Sequence, residues 1–285
     1  MKFTQQIIAC FAALTFASGP LSAATVNSTA TVKIVAAENF YGGVAQQVAG
    51  SAAQVTNIMS NPNQDPHEFQ TDAKTAKAVA DADIVIYSGI GYDDWMEKLL
   101  GTKGKAGRVV IKVSDLIGAK NGDNPHIWYD PKTMPALAAK LGEILHAPEA
   151  ASAFTASLKP LLDKIASLKP KCTGVKVTAT EPVFGYMATA LGFDMLNYDY
   201  QLAVMNDTDP SFKQTADFED SLTSKTVKIL FYNSQVTDPS TERMQTLAKN
   251  RQIPVVGVTE TQPPDAKSYV DWMLTELAAV QAALK

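Results

Sequence analysis

Only three histidines occur in this 285-residue chain, and two of them stand in matched surroundings. His67 lies in Asp65-Pro66-His67-Glu68-Phe69, and His126 in Asn124-Pro125-His126-Ile127-Trp128-Tyr129-Asp130-Pro131. In each, a proline fixes the backbone just before the imidazole and disfavours helix at the residue preceding it. An aromatic follows within two positions, so both imidazoles have the setting of ligands aimed from loops. Two carboxylates occupy comparable places, Glu181 in Thr178-Ala179-Thr180-Glu181-Pro182 and Glu260 in Val258-Thr259-Glu260-Thr261. Two neutral histidines and two carboxylates neutralise a divalent cation and offer about four to six donor atoms. Imidazole suits zinc, iron and nickel, while carboxylate oxygen moves preference toward manganese. The plainer alternatives are loop histidines beside incidental prolines, Glu181 as a helix cap and Glu260 as a solvated loop carboxylate.

The elements that must position these residues are legible in the apolar pattern. Residues 32–37, 54–59, 83–87 and 108–113 read as short buried strands, with helical spacing over 40–49, 72–82 and 92–100. Apolar runs of about five residues alternating with helices predict a parallel α/β sheet. The rhythm then breaks: 132–146 and 148–168 read as consecutive helices with no strand between them. Pro148 suits a first helical position, and Pro160 should end or kink the second helix. Alternation resumes with strands at 175–179, 194–198, 227–232 and 253–258, and helices at 182–191, 211–223, 239–250 and 266–284. His67 and His126 thus follow strands of the first half, and Glu181 and Glu260 follow strands of the second. Ligands of open parallel sheets bind outside the carboxyl ends of the strands, so two facing lobes would bring all four together. His146, at the end of a helix, reads as a solvated or capping residue.

Residues 1–24 read as an export leader: Lys2, an apolar run over 7–17, then Ser22-Ala23-Ala24 as a cleavage site. The apolar run falls short of the roughly 20 residues a membrane span needs. Cys10 lies inside that run, poorly placed for lipid attachment. Loss of the leader removes Lys2 and no acid, taking the formal charge from −4 to −5. That mild acidity argues against nucleic acid. Cys172 is then the only cysteine, which excludes an intrachain disulfide and a cysteine-based metal site. The predicted organisation is a leader (1–24), an N-terminal α/β lobe (31–131), connecting helices (132–173) and a C-terminal α/β lobe (174–285).

Taken with Ala80-Asp81-Ala82-Asp83-Ile84-Val85, Glu181-Pro182-Val183-Phe184-Gly185-Tyr186, Gly192 and Asp209-Pro210-Ser211, the two histidine motifs resemble a known family. It is the zinc- and manganese-type periplasmic solute-binding proteins of ABC importers, and the likeness covers essentially the whole chain after the leader. The resemblance implies two α/β lobes with parallel sheets joined by one long rigid helix, here 148–168. It implies a divalent transition metal, zinc or manganese, as the transported ligand, a membrane permease as partner, a periplasmic monomer and no enzymatic activity. His67, His126 and Glu181 fall on the family's first three ligands, the third being histidine in many zinc importers and glutamate in the manganese-type branch. Glu260 falls on a fourth that is usually aspartate, with Asp265 as the nearby substitute. A rigid connecting helix further implies capture by local ordering of the His67 and Glu260 loops rather than wide hinge closure. Two other functions compete: a binder of a metal chelate, haem or cobalamin, and a metal-dependent hydrolase using the same ligands. Against the hydrolase, the chain carries no His-Glu-x-x-His, Gly-x-Ser-x-Gly or Walker loop, and Gly89-Ile90-Gly91 lacks the third glycine of a dinucleotide fingerprint.

Overall fold

Eight short strands form two separate sheets. In the first half they are β1 (Val32–Glu38), β2 (Ala53–Met59), β3 (Ile84–Tyr87) and β4 (Val109–Lys112); in the second, β5 (Lys176–Ala179), β6 (Asp194–Leu196), β7 (Leu230–Asn233) and β8 (Val255–Val258). This computed structural model describes residues 31–61, 69–102, 104–235 and 239–285, so the leader and His67 lie outside the described residues. Each sheet is wholly parallel, with strand orders β2-β1-β3-β4 and β6-β5-β7-β8. Central strands of such sheets are covered on both faces, which is why Ile34 to Ala37 and Ile84 to Ile86 are unbroken apolar runs and buried. In each sheet the order of strands reverses beside the first strand, between β1 and β3 and again between β5 and β7. Crevices for ligands open at the carboxyl ends of such reversal points.

The bridge between the sheets is helical, as expected, but it is two helices rather than one. Pro148–Ser157 and Lys159–Cys172 meet at Leu158, whose N–H bonds back to Thr155 O at 3.2 Å. Pro160 is the physical reason, since it has no N–H to offer the carbonyl four residues earlier. Two short helices were not expected: Val113–Ile117, directly after β4, and Tyr198–Met205, which begins after Asn197 at φ 59°. Among the described residues no helix is long and apolar enough to cross a membrane. Cys172 is fully buried, and burial pushes its thiol up to about 11, as suits an idle side chain.

One apolar core runs through both halves. Phe40 stacks on Trp128 at 4.7 Å, Tyr129 meets Phe184 edge-on at 5.6 Å, and Phe184 stacks on Phe231 at 4.6 Å. Tyr269 Oη donates to the Trp128 carbonyl at 2.6 Å, tying the last helix, Tyr269–Ala283, to the first lobe. Opening the lobes widely would expose this continuous aromatic seam, at about 25 cal/mol per Å² of apolar surface. Wide opening of the crevice above the strand ends would have to break this seam.

Candidate metal centre

His126 reaches the crevice on the loop after β4, just before the 3-10 turn Ile127–Tyr129, and its side chain is fully buried. Asn124 sets its chemistry. The Asn124 Nδ2 donates across the lobes to Pro182 O at 2.6 Å, so its Oδ1 must be the end facing His126. That oxygen accepts the His126 N–H at 3.1 Å and meets Nδ1 at 2.8 Å. Only a protonated Nδ1 can serve an oxygen acceptor, so the Nε2 turned toward the crevice carries the lone pair. Tyr186 Oη donates to Asn124 O at 3.0 Å, and Gly185 allows the approach: a Cβ there would meet Asn124 Nδ2 at 2.7 Å.

Glu181 follows β5 in extended conformation and leads into Pro182 at the first position of a 3-10 turn. It makes no capping bond to that turn, so the helix-cap alternative does not describe it. Its Oε2 instead accepts from Asn233 Nδ2 at 3.4 Å. Glu260, fully buried after β8, accepts the same Nδ2 on Oε1 at 2.5 Å and Tyr92 Oη on Oε2 at 3.1 Å. Burial and the Glu260 charge hold the Tyr92 phenol well above its usual range, so it stays a donor. The Glu260 Oε2 lies 3.7 Å from His126 Nε2. That is long for a hydrogen bond. It is close to the ~3.4 Å separating two donors that share a tetrahedral ion at about 2.1 Å.

The structure thus brings His126 and Glu260 together and joins Glu181 to them through Asn233. Among the described residues no three histidine, cysteine or carboxylate side chains close on one point as metal ligands. Asp265 and His146 are both exposed. The Glu260 loop is better tied than its neighbouring Pro263-Pro264 leads one to expect. Gln235 Oε1 accepts the N–H groups of Glu260 and Thr261, the latter at 2.9 Å, and Gln235 Nε2 donates to Thr261 Oγ1 at 2.7 Å. From below, Glu276 Oε1 accepts the Thr259 N–H at 3.0 Å, and Tyr129 Oη donates to Thr259 O at 2.7 Å.

Behind Tyr92, at the reversal point of the first sheet, two more buried acids meet. Asp93 accepts the N–H groups of Ser88 and Gly89 at 2.6 and 2.7 Å, closing a turn in which Gly89, Ile90 and Gly91 all have positive φ. A Cβ on Gly89 would come within 2.3 Å of the Lys112 side chain. Burial, then the charge of Asp93, push the Glu38 carboxyl well above its usual range, while burial holds Asp93 at about 7. Of the two, Glu38 is the one held more firmly as the neutral acid at neutral pH. Asn124, Asn233, Tyr92, Gln235 and Glu276 did not emerge from the sequence. The strand-end rule that singled out Glu181 and Glu260 points equally to Asn233.

Comparison with known proteins identifies the family and the fold. The profile described as zinc-uptake complex component A, periplasmic (ZnuA), matches residues 34–283. A manganese-binding lipoprotein, MntA of Halalkalibacterium halodurans, is 26% identical over 179 residues, 57% of this chain and 59% of that protein. The chain thus spans about three-fifths of that relative. The manganese ABC transporter substrate-binding lipoprotein PsaA of Streptococcus mitis is 25% identical over 297 residues, 94% of this chain and 93% of the relative. In fold, the Cd-bound periplasmic metal binding protein from Candidatus Liberibacter asiaticus superposes with a TM-score of 0.71 at 19% identity, covering 89% of this chain and all of that one. The family is one of uptake-complex components, and PsaA is named a substrate-binding lipoprotein of an ABC transporter, which sets the hydrolase alternative aside. The chain belongs to the ZnuA family of metal-binding, substrate-binding proteins of ABC transporters.

Proposed function

We propose that this chain captures a single divalent transition ion between its lobes and passes it to the membrane permease of an ABC importer. The ligands are His126, Glu181 and Glu260, with His67 as the fourth donor. The observation that carries the reading is the buried His126 Nε2–Glu260 Oε2 pair at 3.7 Å, with the lone pair directed by Asn124. The full burial of Glu260 and the exposure of Asp265 favour Glu260 as the fourth ligand. A centre this enclosed suits a bare ion better than a haem or cobalamin, which need a broad cleft. Zinc is the proposed cargo, because it outranks manganese at nitrogen and oxygen donors and needs no more than four ligands. The protein works as an exported monomer, periplasmic after cleavage near Ala24, without binding nucleic acid.

Elemental analysis of the chain isolated from its own compartment, with no metal added, tests this directly. About one zinc per chain is expected; stoichiometric manganese with little zinc would overturn the choice of cargo, and absence of any transition metal would overturn capture itself. Small-angle scattering supplies a second check. The shared aromatic core predicts nearly superimposable profiles with and without zinc, and a large compaction on adding the ion would contradict a seam that stays closed.

A further inference from the structure

In the site proposed above, His126 and Glu260 are fully buried and Glu181 is 5% exposed, so an ion held there leaves only if a covering segment moves. Wide opening would break the aromatic seam, which makes a local movement the cheaper route. The loop that carries Glu260 joins β8 to the last helix, and both lobes hold it. From the second lobe Gln235 accepts the N–H groups of Glu260 and Thr261. From the first, Tyr92 and Tyr129 reach Glu260 and Thr259, and both are buried. Two residues beyond Glu260 the first lobe takes hold again. Asn39 Nδ2 donates to Gln262 O at 2.9 Å, and the Gln262 N–H donates to Asn39 Oδ1 at 3.2 Å. One side-chain amide thus takes both main-chain groups of a single residue, as a paired strand residue would.

Asn39 follows β1 directly and opens the helix Asn39–Ala49, whose Phe40 and Tyr41 are fully buried and fix its backbone. The contact itself is half-buried. A cleft of about 310 Å3, with Asn39, Gly42, Gln262, Lys267 and Tyr269 in its wall, runs beside it. Water in that cleft can replace both bonds, so this contact can part and re-form while the core stays closed.

We infer that Asn39 is a positioning residue that latches the metal crevice: its amide pins the Glu260 loop to the first lobe and sets how fast the ion exchanges. The inference rests on Glu260 being a ligand, as proposed above. Neither of the two bonds involves a ligand atom, so the latch closes equally well with or without the ion. A contact indifferent to the ion shifts no binding equilibrium. It raises the barrier in both directions, as a lid does.

The test compares Asn39→Ala and Asn39→Ser with the unaltered chain. Alanine is the best helix former and serine suits a helix start, so the helix survives in one or the other, and neither can take both main-chain groups. Stopped-flow mixing with zinc reads capture, mixing of the zinc-loaded chain with a chromophoric chelator reads release, and competition titration gives the dissociation constant. Capture and release should both quicken about tenfold, the order that two hydrogen bonds sustain, with the dissociation constant unchanged within about threefold. Unchanged rates in a folded variant would overturn the latch. Faster release with unchanged capture, and affinity lowered in proportion, would also overturn it, since Asn39 would then merely stabilise the bound form. Undiminished zinc affinity in Glu260→Ala would remove the ligand that the latch covers, and this inference with it.

Discussion

His126→Ala should abolish tight zinc binding while leaving the fold intact. A four-donor site has no spare ligand, so the loss should exceed the roughly 100-fold that removal of an outer partner costs. Asn124→Ala is the more discriminating companion. It leaves the imidazole in place but removes the oxygen that holds Nδ1 protonated, so affinity should fall about 10- to 100-fold. His146→Ala, at an exposed helix end, should change nothing. Isothermal titration on the three variants reads these outcomes, with circular dichroism as the check on folding. Undiminished affinity in His126→Ala would sink the ligand assignment. A normal affinity in Asn124→Ala alone would show that the tautomer needs no outside support.

The parts of this molecule that were legible in the sequence are those where composition alone constrains the chain. Central parallel strands are unbroken apolar runs, and the alternation of strand-like with helical segments marked the edge strands too, so all eight strands were expected near their observed places. Pro160 announced the break at Leu158 because a missing N–H acts whatever the surroundings. The short helix Val113–Ile117 was hidden, since Val113 read as the end of a strand and five residues are too few to show a helical period. The candidate site divides the same way. His126 stood out because histidine is scarce and proline frames it, and Glu181 and Glu260 because they follow strands. Tyr92 and Glu260 are 168 residues apart, and Tyr129 and Glu276 147, so their partnership exists only once the lobes have packed. His67 and the leader lie outside the described residues, and their roles stand as expectations.

The buried circuit under the Glu260 loop leads to the second large effect. Tyr129 Oη lies 2.7 Å from the Thr259 carbonyl and 2.8 Å from Glu276 Oε2, yet it has one proton. The carbonyl and the carboxylate both accept from Tyr129, so the two compete for that one proton and protonation of Glu276 relieves the competition. Burial, offset in part by bonds from Tyr129, Thr259 and Trp272, raises the Glu276 carboxyl to about 7. A carboxyl whose folded value lies above its unfolded one favours the folded state at low pH, and that advantage is lost as pH rises through the folded value. Relative to pH 4.5, this group alone should cost the metal-free protein about 3 kcal/mol by pH 8. Metal affinity runs the other way, falling below about pH 6 as the ligands protonate. Glu276→Gln keeps a donor toward Tyr129 and an acceptor toward Trp272 and Thr259 at every pH. Denaturant unfolding of the metal-free chains between pH 5 and 8 should therefore show a shallower loss of stability for Glu276→Gln, with the two curves closest at the acid end. The Glu38–Asp93 pair contributes the same slope to both proteins and cancels in the difference. Parallel curves would mean that Glu276 does not change its protonation in this range, and that Tyr129 alone supplies the proton to both neighbours by turns.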